Sequence, residues 1–314
     1  MPARVEEVRR LAEVAHDHSL GLVAAGGGTG PSVEREVDVL VRFDLMRGVR
    51  LPAAGGDDPW ADAEPGALWL QMDNELRMRG RGLAVYPTSA PRATVGGWLA
   101  TDGLGVGSFE YGRLRENVLS ASVVLPGGEL CEVEGERLGD FVGSRSGAGI
   151  VVGAKLRTRR ADTDMPFAAA IADAEDALGA VEELAGSAVP LWHLAFLNPA
   201  MATVRGLGED HLLFGAYPNG RSEEVEASLG RAVEARGGRR LGAADAHKAW
   251  GERFYPVAPS RPAPEVVREF VPLEGLRKEL NARPGAAVQC TVSRSGETLL
   301  LALGAGEGAP RAAP

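Results

Sequence analysis

Residues 21–30 read GLVAAGGGTG: an apolar run enters Gly26, Gly27 and Gly28, then Thr29 and Gly30. Successive glycines can aim several backbone N–H groups at one anion, so the chemistry on offer is phosphate binding without a lysine. A P-loop is excluded, because it ends in Gly-Lys-Ser/Thr and Thr29-Gly30-Pro31 follows here. The dinucleotide fingerprint G-x-G-x-x-G opens a helix after a strand; these glycines have another spacing, and the strand-like VDVLVRFDL (37–45) follows them. Taken alone, the run also reads as a plain strand-to-strand loop.

A second block, PTSAPRATVGGWLATDGLGVGSFEYGRLRENVL (87–119), joins glycines to hydroxyl donors. Gly96-Gly97 permit close backbone approach, and Thr88, Ser89, Thr94 and Thr101 could donate to a ligand. Composition leaves two readings, a ligand against backbone or a Gly-rich surface loop. Three further side chains could do chemistry. His193, in PLWHLAFLN (190–198), is either a satisfied strand histidine or a base. In ADAHKAWGERFYP (244–256), His247, Trp250 and Arg253 or Phe254 share one helix face. That face either packs a core or offers Arg253, whose planar fork suits a carboxylate, with Tyr255 as proton donor. GSRSG (143–147) has Arg145 where a hydrolase elbow needs Ser, so a hydrolase is rejected. His16 and His18, two apart, point to different sides of a helix and make no metal site.

Elements to position these groups follow from periodicity. Apolar spacing predicts a helix over 4–17, ended at Ser19-Leu20-Gly21, and then a buried strand at 20–25. Strands are expected at 37–45 and 67–72, the latter leading into a helix, with a loop at 53–67 and an extended LAVYP (83–87). A hairpin turns on Pro126-Gly127-Gly128 within 116–135, and another strand covers 150–160. After residue 160 the texture changes. Helices are expected at 167–186 and 222–237, the latter capped by Ser222. Strands are expected at 190–198, 211–218, 286–292 and 298–303.

The 314 residues suit two domains, and 45% hydrophobic with 25% charged residues is ordinary globular composition. A net charge of −9 makes a poor nucleic-acid binder. Cys131 and Cys290 lie far apart and read as buried thiols, which fits a reducing, cytoplasmic compartment. No signal peptide and no apolar run of about 18 residues is read, so no membrane span is expected.

In order, GGGTG, PTS, ATVGGWLATDGLGVGS, YG, ENVLSASVVLPGGE and GAGIVVGAKLR resemble the vanillyl-alcohol-oxidase-type flavoproteins with a PCMH-type FAD-binding domain, on the glycolate-oxidase-subunit and D-lactate-dehydrogenase branch. The resemblance covers about residues 1–160; the second half is similar to that family's C-terminal cap but shorter, with AWGERFYP and VPLEGL as its best echoes. It implies an α+β fold: a two-lobed FAD-binding domain (1–160), a smaller α+β cap with an antiparallel sheet and helices on one face (161–304), and a disordered tail (305–314). It implies that Gly26, Gly27, Gly28, Thr29 and Gly30 bind the pyrophosphate, with Pro87, Thr88 and Ser89 nearby. Thr94, Gly96, Gly97, Ala100, Thr101 and Gly103 would run along the pyrophosphate and isoalloxazine, and Gly107, Tyr111 and Gly112 would continue that wall. Asn117 opens the next strand, and Gly149, Ile150 and Val151 would clasp the adenine side. Residues 24–32 and 87–112 hold neither His nor Cys, so the FAD is expected to be non-covalent, with no metal. The implied activity is oxidation of a small 2-hydroxy acid such as glycolate or lactate, with Arg253, Tyr255 and His193 as catalytic candidates. The branch's Gly-Asp-Gly-Asn-His-like segment has no match in TVSRSGETLLLAL (291–303). The alternative is therefore a non-catalytic FAD-binding or structural subunit, with partner subunits in a glycolate-oxidase-like complex.

Overall fold

A computed structural model describes residues 1–30, 37–52, 59–161, 163–254 and 266–304. The chain forms two compact units, Met1–Gly103 with Arg113–Ala161, and Leu104–Gly112 with the residues from Asp162 onward.

The first unit begins with α1 (Val5–Asp17), which buries Val8, Ala12 and Ala15. The parallel pair β1 (Leu22–Ala25) and β2 (Val39–Arg42) follows. Next come β3 (Val49–Arg50), β4 (Trp60–Ala63), α2 (Trp69–Arg77), β5 (Arg81–Leu83) and the short α3 (Val95–Leu99). After α4 (Ser108–Tyr111), which packs with the second unit, the chain returns through β6 (Val118–Val124), β7 (Leu130–Glu134) and β8 (Ile150–Arg160). These strands form an antiparallel sheet in the order β3-β4-β8-β6-β7, and β5 also pairs with β8. β8 runs long enough to meet three partners. Its first residues bury Ile150 and Val152 under Val8 and Ala12 of α1, beside Val41 and Phe43.

The second unit builds one antiparallel sheet from β9 (Asp164–Ile171), β10 (His193–Leu197), β11 (His211–Pro218), β12 (Arg239–Arg240), β13 (Val266–Pro272), β14 (Ala287–Val292) and β15 (Glu297–Leu303). The order is β12-β9-β11-β10-β14-β15-β13. Helices α5 (Ala174–Gly186), α7 (Ser222–Glu234) and α9 (Leu276–Asn281) cover one face, packing on Leu194, Phe196 and Cys290. Helices α6 (Pro199–Val204) and α8 (Ala243–Gly251) cover the other, over Ala195, Leu197 and Phe214. Helices thus lie on both faces where one was expected. Among the described residues this unit has one seven-stranded sheet, and the first unit has a six-stranded and a two-stranded one.

Several expected elements change identity. Residues 67–72 are no strand: Trp69, Met72, Asp73 and Leu76 bury one stripe of α2 at helical spacing, which a six-residue window cannot show. Residues 167–186 divide, because the alanines of β9 pair fully with β11 and Asp173 then caps α5 by accepting from the N–H groups of Glu175 and Asp176. Ser222 is the first residue of α7 and not its cap; its Oγ donates to the Asn219 carbonyl at 2.6 Å. The 53–67 loop contains β4, and residues 53–58 lie outside the described residues. The tail 305–314 also lies outside them.

Asp73 ties α2 to β5. Its carboxylate, 1% exposed, accepts from Leu83 N at 2.8 Å and Arg77 Nε at 2.7 Å. Asp73→Ala leaves the buried Leu83 amide without that acceptor, so denaturant unfolding should show a loss of about 2–3 kcal/mol. A loss under about 0.5 kcal/mol would show that the tie is ornamental.

Candidate functional site

In the first unit the glycine loop and the second Gly-rich block meet through backbone. A Cβ on Gly26 would lie 2.7 Å from Gly97 Cα and 2.8 Å from Thr94 Oγ1. One on Gly27 would lie 1.9 Å from the Arg92 carbonyl oxygen. Both positions therefore admit only glycine at this spacing. Gly28 has φ +69° and faces open space, so the loop turns its outer side away from the contact. Thr94 starts α3, and its side chain accepts from Gly97 N at 3.3 Å. Thr101 Oγ1 donates to Trp98 O at 3.2 Å.

The stretch after α3 is fixed by a residue that the sequence reading passed over. Asp102, 5% exposed, holds a left-handed φ of 47°. Its carboxylate accepts from Arg115 Nε at 2.6 Å, Arg115 N at 3.1 Å and Arg113 Nη1 at 3.3 Å. Arg145 N donates to Ala100 O, and Leu114 N donates to Gly103 O. Ala100, Thr101 and Gly103 are thus held as a rigid turn. The Asp-Gly pair was the available signal, since it marks turns.

The remaining expected FAD residues fall in two places. Pro87, Thr88 and Ser89 form a turn in the first unit, with Pro87 O accepting from Ala90 N and Ser89 O from Ala93 N. Asn117 is buried, and its Nδ2 donates to Arg113 O. Gly149, Ile150 and Val151 open β8 beside Val123 and Val124. Gly107, Tyr111 and Gly112 belong to the segment that packs with the second unit. There Phe109 is buried under the Arg294 guanidinium, and Glu110 pairs with Arg221 at 2.9 Å.

In the second unit the structure brings His193 and Arg253 to one ring. His193 lies 5.8 Å from Trp250 between centroids, and the Arg253 guanidinium stacks 4.5 Å from the same ring and 4.2 Å from Phe254. His193 is fully buried, and neither ring nitrogen has a hydrogen-bond partner among the described residues. Burial, with the Arg253 charge nearby, pushes its imidazole down to about 3. His193 is therefore neutral at pH 7 and can both donate and accept. Tyr255 lies outside the described residues, and His247, His16 and His18 are exposed. Cys290 is buried as expected, whereas Cys131 is only half-buried on β7. Among the described residues, no group of three or more His, Cys, Asp or Glu could hold a metal, and no helix is long and apolar enough to cross a membrane.

Residues 1–134 match a family described as an FAD binding domain. The chain is similar to D-lactate dehydrogenase of Archaeoglobus fulgidus, with 29% identity over 203 residues, covering 60% of this chain and 45% of that protein. It is similar to D-2-hydroxyglutarate dehydrogenase of Stutzerimonas stutzeri at 28% over 176 residues, 52% of this chain and 38% of the other. It thus spans less than half the length of these relatives. Its fold is that of a solved alkyldihydroxyacetonephosphate synthase, with a TM-score of 0.74 at 17% identity over 96% of this chain and 66% of the other.

The buried imidazole gives a pH signature. The unfolded chain takes up this proton below its ordinary 6.5, and the folded chain only near 3. Stability from this group is therefore complete above pH 6.5 and falls as pH drops toward 3, by at most about 1.4 kcal/mol per pH unit. His193→Phe should flatten the unfolding free energy against pH in that window, as measured by urea titration. Equal slopes in both proteins would contradict the assignment.

Proposed function

Because residues 1–134 match a family described as an FAD binding domain, we propose that the chain is an FAD-linked oxidoreductase acting on a small 2-hydroxy acid such as lactate or glycolate. The observation that carries this reading is the Gly26–Gly97 contact, with Gly28 turned to open space. Such a backbone cradle fits a pyrophosphate, whose charge several N–H groups can meet without a lysine. Gly26–Gly30, Thr94, Gly97 and the turn Ala100–Gly103 would hold the cofactor, and the Asp102 clamp keeps that turn in place. The described residues 24–30 and 87–112 include no His or Cys, so the attachment is non-covalent. When bound, FAD supplies a hydride acceptor; the redox chemistry is the cofactor's own.

The chain's own residues have the remaining tasks. Arg253, stacked on Trp250 and Phe254, would anchor the substrate carboxylate through its planar donors. His193, neutral and 5.8 Å from the same Trp250 ring, would accept a hydrogen bond from the substrate. Tyr255, two residues past Arg253, would serve as proton donor. The two free thiols suit a reducing, cytoplasmic setting.

The purified chain should be yellow, release FAD on heating, and bleach when D-lactate or glycolate is added without oxygen. A yellow protein that bleaches with neither acid, and co-purifies with another flavoprotein, would replace this reading with that of an FAD-binding subunit. Gly27→Val and Gly97→Val should abolish FAD retention with circular dichroism intact. Gly28→Ala faces open space and pays only backbone strain of about 1 kcal/mol, so it should retain the cofactor. Wild-type FAD content in both valine variants would refute the cradle.

A further inference from the structure

Across the second unit's sheet, on the face covered by α6 and α8, runs a row of polar side chains in an otherwise apolar layer. His193 sits on β10, and Thr291 and Gln289 sit on β14. The register pairs Ala195 with Thr291 and Leu197 with Gln289, so all three share the face of Ala195 and Leu197. All three are 0% exposed. Gln289 is satisfied: its Oε1 accepts from Arg205, and its Nε2 donates to Arg253 O at 3.4 Å. Among the described residues, Thr291 Oγ1 and both nitrogens of His193 have no partner.

A buried polar atom without a partner costs roughly 1–3 kcal/mol. Three of them on two neighbouring side chains need a reason. His193 and Thr291 are diagonal neighbours across an antiparallel pair, which stand about 7–8 Å apart. One oxygen atom placed between their tips could bridge them. Both groups are neutral and each can donate or accept, so they suit a hydroxyl better than a charge. Among the described residues, two cations flank the row: Arg205, buried and bonded to Gln289, and Arg253, whose guanidinium stacks on Trp250; Trp250 and Arg253 are partly exposed. The cluster thus grades from a partly exposed cation to a buried pair of neutral hydrogen-bonding groups.

We infer that Thr291 and His193 together receive the hydroxyl of a small carboxylic acid whose carboxylate meets Arg253, making Thr291 the residue that separates 2-hydroxy acids from plain acids. This rests on the proposed 2-hydroxy-acid reading and adds a residue to it. A site built around a hydroxyl rejects the analogue that lacks it, because its own polar groups are then left unpaired.

The test uses the flavin-loaded full chain and two probe pairs, D-lactate against propionate and glycolate against acetate. Half-saturation is read from the shift in thermal unfolding. In the wild type at least one hydroxy acid should saturate at a concentration about tenfold or more below its plain partner. Thr291→Val should close that gap, and Thr291→Ser should keep it. Without ligand, the valine variant should melt at or above the wild-type temperature, since it removes an unpartnered hydroxyl. Equal half-saturation within both pairs in the wild type, a gap that survives in Thr291→Val, or a marked fall in its unliganded melting temperature would each overturn the inference. Anaerobic bleaching on the same samples separates the two readings. Bleaching with an unchanged gap sinks the hydroxyl site alone; a gap that closes without any bleaching sinks the redox reading alone.

Discussion

Gly26 and Gly97 approach so closely that a single added carbon would collide with the facing backbone. The rest of the first unit is organised to make that contact repeatable. The parallel pair β1 and β2 delivers the glycine loop from one side. The α2–β5 tie through Asp73 and the Trp69–Trp98 edge contact at 5.1 Å hold the other side. Trp69 also donates from its indole nitrogen to Thr94 O at 3.1 Å, so the cap of α3 is anchored to the unit's core. Asp102 then fixes the exit turn through two arginines. None of these groups needs to touch a ligand. Their effect is to present bare backbone at a fixed spacing.

The second unit solves a different problem. Its central strands are apolar on both faces, and helices cover both. Polar side chains are therefore costly there, and the ones present stand out. Arg283 is nearly buried yet bridges Glu269 and Glu279. Glu226 accepts from Tyr217 and Arg240. Those groups are compensated within the fold and read as structure. His193 differs, because its ring packs against Trp250 and Phe214 with no hydrogen-bond partner among the described residues.

Much of this was legible before any coordinates. The β6–β7 hairpin, β8, β10, β11, β14 and β15 follow from alternation and turn residues, because their partners lie close in sequence or their faces are plainly apolar. Where reading failed, a longer context decided the outcome. An alanine-rich run became β9 because β11 offered a full edge to pair with, overriding helix propensity. ALWLQM became helical because its apolar stripe continues to Leu76. The glycine run could be picked out, but the contact of Gly26 with Gly97 joins residues 71 positions apart, which no local pattern encodes. The meeting of His193 with Trp250 and Arg253 is hidden for the same reason, since β10 and α8 are neighbours only in space. Arg253 and Trp250 could be placed on one helix face from spacing alone.

The excursion Leu104–Gly112 sets an order on how the chain can be assembled. Helix α4 packs on β10 and β14, and the last of those strands ends at Val292. At about 5–20 residues per second, a ribosome delivers that strand some tens of seconds after α4 has emerged. Until then Phe109 has only part of its final packing. A chain that ends before β14 would leave the packing of Phe109 incomplete.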